Sequence, residues 1–116
     1  MRRLELGSGL AHSGDAIFEG EVQMRRHLDE GEAEVFRVAE VSFRDGGRTT
    51  WHVHGADQLL VVTSGRGIVA TESEEIEIHP GDVVFVPEGE RHWHGAAPGA
   101  DLVHLSILTP GEMTLG

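Results

Sequence analysis

The stretch GGRTTWHVHGADQLLVVTSG, Gly46 to Gly65, holds two strand-like runs, TTWHVH and QLLVVTS, either side of a short polar break. Both runs are built from side chains that suit a pleated backbone. Successive side chains of a strand point to opposite faces, so His52 and His54 must look the same way. The rhythm continues outward in both directions. Upstream, DAIFEGEVQMRRHL can form one or two short strands, and VFRVAEVSF runs at strand density to a turn signal at RDGGR. Downstream come GIVAT, EEIEIH, DVVFVP, RHWHG and DLVHLSIL, divided by glycine, proline or acidic breaks at a spacing of about ten residues. No run keeps an apolar period of 3.6 residues long enough for a helix. The pattern predicts an all-β sandwich or barrel.

The 116 residues suffice for a single domain with a real core and not for two. Residues 1–14 read as an irregular arm and 15–116 as the domain. The acidic run DEGEAE, Asp29 to Glu34, reads as a solvated hairpin tip. Nine basic against 20 acidic side chains give a formal charge of -11, a sign that repels phosphate backbones and anionic lipid. Nucleic acid and membrane partners are therefore not expected. The opening MRRLELGSG has no apolar stretch behind its arginines, so no signal peptide is expected. The absence of cysteine rules out disulfides and thiol chemistry and agrees with a cytoplasmic location.

Eight histidines are unevenly spread. Alternation places His92 and His94 on one face of RHWHG, and His104 on a face with Leu102, Ser106 and Leu108. If those faces look into the barrel, five imidazoles converge on one cavity. His12, His27 and His79 are expected at the surface. A single inward histidine is explained by an ordinary hydrogen bond in the core. Two H-x-H pairs on separate strands are harder to explain so, because several buried imidazoles need partners and a divalent cation is a common one. Trp51 and Trp93 face away from their neighbouring histidines and are expected to pack outside the sheet. Val53, Leu59 and Val61 can share that outward side, which calls for a second cover, either the N-terminal arm or another copy in a homodimer.

The spacings resemble the two cupin motifs. In the first, covering 46–65, Gly46 is followed after five residues by His52-x-His54, after three more by the usual carboxylate position, and after six more by Gly65. In the second, covering 81–96, Gly81 is followed after five residues by Pro87-x-Gly89 and after two more by His92. The resemblance implies a single-domain jelly-roll β-barrel with one metal held by His52, His54, Gln58 and His92. Gln58 stands where glutamate is usual, and Ala96 where asparagine is frequent. A glutamine binds through its amide oxygen but brings no charge. A divalent ion there keeps its full charge and acts as a stronger Lewis acid, and ligands of this kind suit manganese, iron, nickel, cobalt or zinc over magnesium or calcium.

Gln58, HWHGAAP (His92 to Pro98), His104, FEGEV and VSFRDGGRTTWH are together similar to small bacterial cupins that include manganese-dependent hydroxynitrile lyases. That similarity implies manganese, a small-molecule substrate that is a cyanohydrin, and His94 and His104 as an unligated pair serving as catalytic proton carriers. Leu108 departs from the group, which has a polar side chain there. Two other readings stand beside it: a metal-dependent dioxygenase, and a non-catalytic cupin that binds a small ligand. A decayed site that binds no metal is the remaining alternative.

Overall fold

Alternating inward and outward side chains give this chain strands wherever the sequence rhythm predicts them. A computed structural model describes residues 1–29 and 31–116; the expected tip DEGEAE includes Glu30, which lies outside the described residues. Among the described residues there are strands and no helix. They are β1 (Ala11–His12), β2 (Phe18–Leu28), β3 (Arg37–Thr49), β4 (His52–His54), β5 (Gln58–Gly65) and β6 (Gly67–Ala70). After these come β7 (Glu75–Ile78), β8 (Val83–Val86), β9 (Trp93–Ala96), β10 (Leu102–Leu108) and β11 (Met113–Leu115).

Nine strands form one antiparallel sheet in the order β7-β6-β9-β3-β10-β5-β8, with β2 paired to β3 and β1 to β2. The sheet curls because β3 serves two neighbours on one side. Arg37 to Phe43 pair with β10, whereas Arg48 pairs with Gly95 of β9. The remaining pair, β11 and β4, is tied to the start of β9 by a reciprocal bridge between His52 and His92. The result is the all-β architecture that the spacing predicts, in the jelly-roll form that the resemblance implies.

RDGGR does not end its strand as a turn. Asp45 and Gly46 adopt positive φ (47° and 75°), and the register with β2 jumps from Glu21↔Arg44 to Glu19↔Arg48. The insertion is a bulge: the chain absorbs its extra residues, bends, and continues as β3. Two cross-chain bonds hold the bend, Asp45 N–H to Asp101 Oδ1 at 2.9 Å and Gly46 N–H to Ala100 O at 3.0 Å.

Inward side chains divide by height. Val22, Phe43, Val62, Val69, Ile78, Val86 and Leu102 fill one end as an apolar core. Higher up, β10 contributes His104 and Ser106, and β5 contributes Gln58, all buried. Outside, the two tryptophans carry arginine guanidiniums over their rings, Arg48 at 4.0 Å from Trp93 and Arg91 at 4.2 Å from Trp51.

The N-terminal arm covers part of the outer face. Glu40 accepts from Gly7 N–H at 2.8 Å and pairs with His27 Nε2 at 3.0 Å. The His27 side chain is only 6% exposed, so it is not the surface residue that its position beside the acidic run suggests. His12 and His79 do lie at the surface, paired with Asp15 and Glu77.

Candidate metal centre

β4 lifts His52 and His54 onto one face, β9 and the bridge residue just before it bring His94 and His92 opposite them, and β10 supplies His104. All five are at most 9% exposed. The rings are close: centroids stand 4.2 Å apart for His52 and His92, 4.8 Å for His52 and His54, and 5.6 Å for His54 and His92. The nitrogens that His52, His54 and His92 offer lie within 4.8 Å of one another. His94 stacks on His92 at 5.6 Å and reaches the other way to His104, with His94 Nδ1 and His104 Nε2 2.9 Å apart.

Backbone carbonyls decide which nitrogen each ring presents. His52 Nδ1 donates to Thr50 O at 2.8 Å, and His92 Nδ1 donates to Glu90 O at 2.9 Å. A carbonyl only accepts, so both rings carry their proton on Nδ1 and turn a bare Nε2 inward. The Nε2 atoms of His52, His54 and His92 and the Oε1 of Gln58 are all buried without a hydrogen-bond partner. Buried atoms without partners are costly, and the acceptors among them, the bare Nε2 atoms of His52 and His92 and the Gln58 amide oxygen, call for a positive species. Three imidazoles and an amide oxygen fit a borderline divalent transition ion, and second-sphere carbonyls of this kind orient ligating histidines.

Electrostatics keeps the site ready. Burial pulls His52 down to about 3, against the Thr50 carbonyl that favours its proton, and His92 and His54 push it lower still. Burial and then the neighbouring His92 pull His54 down to about 4. His92 is lowered by burial against the opposing bond to the Glu90 carbonyl. Burial drives His94 well below the ordinary histidine value, with His104 adding to it, and takes His104 to about 4. At neutral pH every ring is therefore uncharged, the state in which imidazole binds metal or accepts a proton.

A cavity of about 510 Å³ opens over the cluster, lined by His52, His54, Gln58, His94, His104 and Ser106. Its upper walls are mainly apolar, with Phe18, Met24, Val41, Leu108, Met113 and Leu115, and Arg26 and Asp29 also border it. That size suits a small organic molecule. Phe43 forms the floor beneath the pair, 5.2 Å from the His104 ring and 6.0 Å from that of His94.

Five of the six residues singled out from the sequence thus line one cavity, and the sixth, His92, stands against them with its ring 4.2 Å from that of His52. Three contributors escaped that reading. Ser106 accepts a hydrogen bond from Gln58 Nε2 at 2.8 Å. Thr49 Oγ1 accepts from the His94 backbone N–H at 3.1 Å, and the Thr50 carbonyl orients His52. For Ser106 the signal was present, since it shares the inward face of β10 with His104.

The chain belongs to the cupin domain family, which residues 39–108 match. It is 41% identical over 104 residues to the (R)-mandelonitrile lyase of Granulicella tundricola, spanning 88% of this chain and 79% of that protein. It is also 32% identical over 66 residues to the acireductone dioxygenase of Bacillus thuringiensis, spanning 53% of this chain and 39% of that enzyme. Among solved structures, a cupin-like protein from Thermotoga maritima superposes with a TM-score of 0.81 at 35% identity, covering 90% of this chain and 84% of that one.

Proposed function

We propose that this protein is a metal-dependent cupin lyase of the hydroxynitrile type, cleaving or forming a cyanohydrin. The observation that carries the reading is the set of four buried atoms without partners, His52 Nε2, His54 Nε2, His92 Nε2 and Gln58 Oε1, beside the His94–His104 pair in contact at 2.9 Å. The likeness to a mandelonitrile lyase over most of the chain supports it. His52, His54, Gln58 and His92 hold one divalent ion: the resemblance to the hydroxynitrile lyase cupins implies manganese, and the donors also suit iron, nickel, cobalt and zinc. When bound, such an ion supplies Lewis acidity to a substrate oxygen.

The chain's own residues do the rest. The apolar upper cavity takes the organic part of the substrate and excludes water. His94 and His104 share one proton across a 2.9 Å contact, so the pair can take the hydroxyl proton from a cyanohydrin. As the C–C bond breaks, its electrons leave with cyanide and the carbonyl forms. The same pair returns the proton to cyanide. Because both rings are neutral at pH 7, the pair begins as a base.

Metal analysis of protein purified without added metal, followed by mandelonitrile cleavage assays, tests the reading. Stoichiometric transition metal, turnover, and loss of at least about 100-fold in rate for His94→Ala or His104→Ala with metal retained are expected. Full activity without either histidine would remove their proton-transfer role. The match to an acireductone dioxygenase favours one second reading, oxygen chemistry at the same centre. Substrate-dependent oxygen uptake would establish it over the lyase. Tight ligand binding with neither reaction would make the protein a binding module.

We also infer that two copies pair through the outer face of β8, β5 and β10. Phe85, Leu59 and Ile107 stand in register across it, and Val83, Val61 and Leu105 form the next row. Phe85 and Val83 are 58% and 60% exposed, so this uncharged face lacks a cover.

A further inference from the structure

Gln58 and Ser106 lie on adjacent strands but are not opposite each other. Gln58 is in register with Leu108, and Ser106 with Leu60. Ser106 is therefore the diagonal neighbour of Gln58 on the inward face, a separation that a long side chain spans. The amide closes it, Gln58 Nε2 donating to Ser106 Oγ at 2.8 Å, with the two residues only 3% and 8% exposed.

An amide has two ends of almost the same shape and opposite chemistry. Its oxygen has lone pairs for a cation, whereas its NH2 has only hydrogens to offer. Rotation about the last side-chain bond of glutamine is broad and nearly two-fold, so the backbone alone does not choose the end that faces inward. Inside the site the choice is consequential. An NH2 turned inward would donate to the bare imidazole nitrogens and displace the fourth donor atom.

We propose that Ser106 is the positioning residue for Gln58. By accepting from Nε2 it holds the amino end against β10. That leaves Oε1, buried and without a partner, as the fourth atom offered with the Nε2 atoms of His52, His54 and His92. The assignment rests on the metal-site reading above and adds what makes a glutamine workable there. A carboxylate has two equivalent oxygens and needs no such partner, so the serine is the companion of the glutamine.

The test is a double-mutant cycle on the full-length protein, read by Mn2+ affinity in competition with a chelator. Ser106→Ala is expected to weaken Mn2+ binding about 10-fold or more. In the Gln58→Glu background the same change is expected to alter it less than about twofold, and Ser106→Thr, which keeps the hydroxyl, to restore binding. Equal losses in both backgrounds, or no loss in either, would overturn the proposal. A second readout needs no metal: the Gln58 side-chain NH2 protons, followed by NMR in chelator-treated protein, should exchange about 10-fold faster in Ser106→Ala. Unchanged exchange would overturn the positioning role. Faster exchange in a protein that takes up no Mn2+ would uphold that role and overturn the metal reading alone.

Discussion

At the scale of single residues, the main feature is how many uncharged imidazoles the fold keeps out of water. His52, His54 and His104 hold values of about 3, 4 and 4 in place of the ordinary 6.5, with burial as the leading cause. The sign of the linkage follows. Below pH 6.5 the unfolded chain gains protons on these rings and the folded chain does not, so stability falls as pH drops from about 6.5 toward 4. Each such ring contributes up to about 1.4 kcal/mol per pH unit, a large share of the stability of an ordinary domain. Glu40 acts later: burial raises it, but bonds from Gly7 and His27 outweigh that and leave it below 4.5, so its contribution disappears only at still lower pH. The melting temperature of chelator-treated protein is therefore expected to fall steadily between pH 6.5 and 4.5, before the carboxylates titrate. A flat profile over that window would contradict the neutral buried cluster. Pairing of His27 with Glu40 was not legible in the sequence, because its cover comes from Gly7 and Arg2 on a distant segment.

At the scale of elements, the crossing of β3 and β9 sets where the second H-x-H pair stands. Arg48 and Gly95 are directly paired, and a Cβ on Gly95 would sit 2.4 Å from Arg48 Cβ and 2.7 Å from the Gly47 carbonyl oxygen. Contact that close forces the strands apart. Gly95→Ala is expected to destabilise the protein by about 1–3 kcal/mol in urea unfolding and to weaken metal binding by shifting His92 and His94. Wild-type stability in that variant would show that the crossing yields easily. Alternation along a strand was legible, as was the grouping of His52, His54, His92, His94 and His104. The RDGGR bulge was not, since two glycines suit a turn and a bulge equally and the choice came from Asp101 and Ala100 on the far side. Nor was the bond from Gln58 to Ser106, which depends on the register of β10 against β5.

At the scale of the whole molecule, a formal charge of -11 works against association except through a face without charge. The outer rows of β8, β5 and β10 are such a face. Sedimentation at micromolar concentration is expected to give twice the 12.6 kDa chain mass for the wild type and a monomer for Phe85→Glu. A monodisperse wild-type monomer would remove the dimer. Among the described residues no helix is long and apolar enough to cross a membrane. The reciprocal bridge between the two motifs has a consequence for motion. His52 N–H donates to His92 O at 2.9 Å and His92 N–H to His52 O at 3.0 Å, so the backbone that spaces the ligands is itself closed into a ring of hydrogen bonds. Deuterium can reach those two amides only when both motifs part, which makes them reporters of global opening. Their exchange should slow when metal is added, in step with the rise in overall stability.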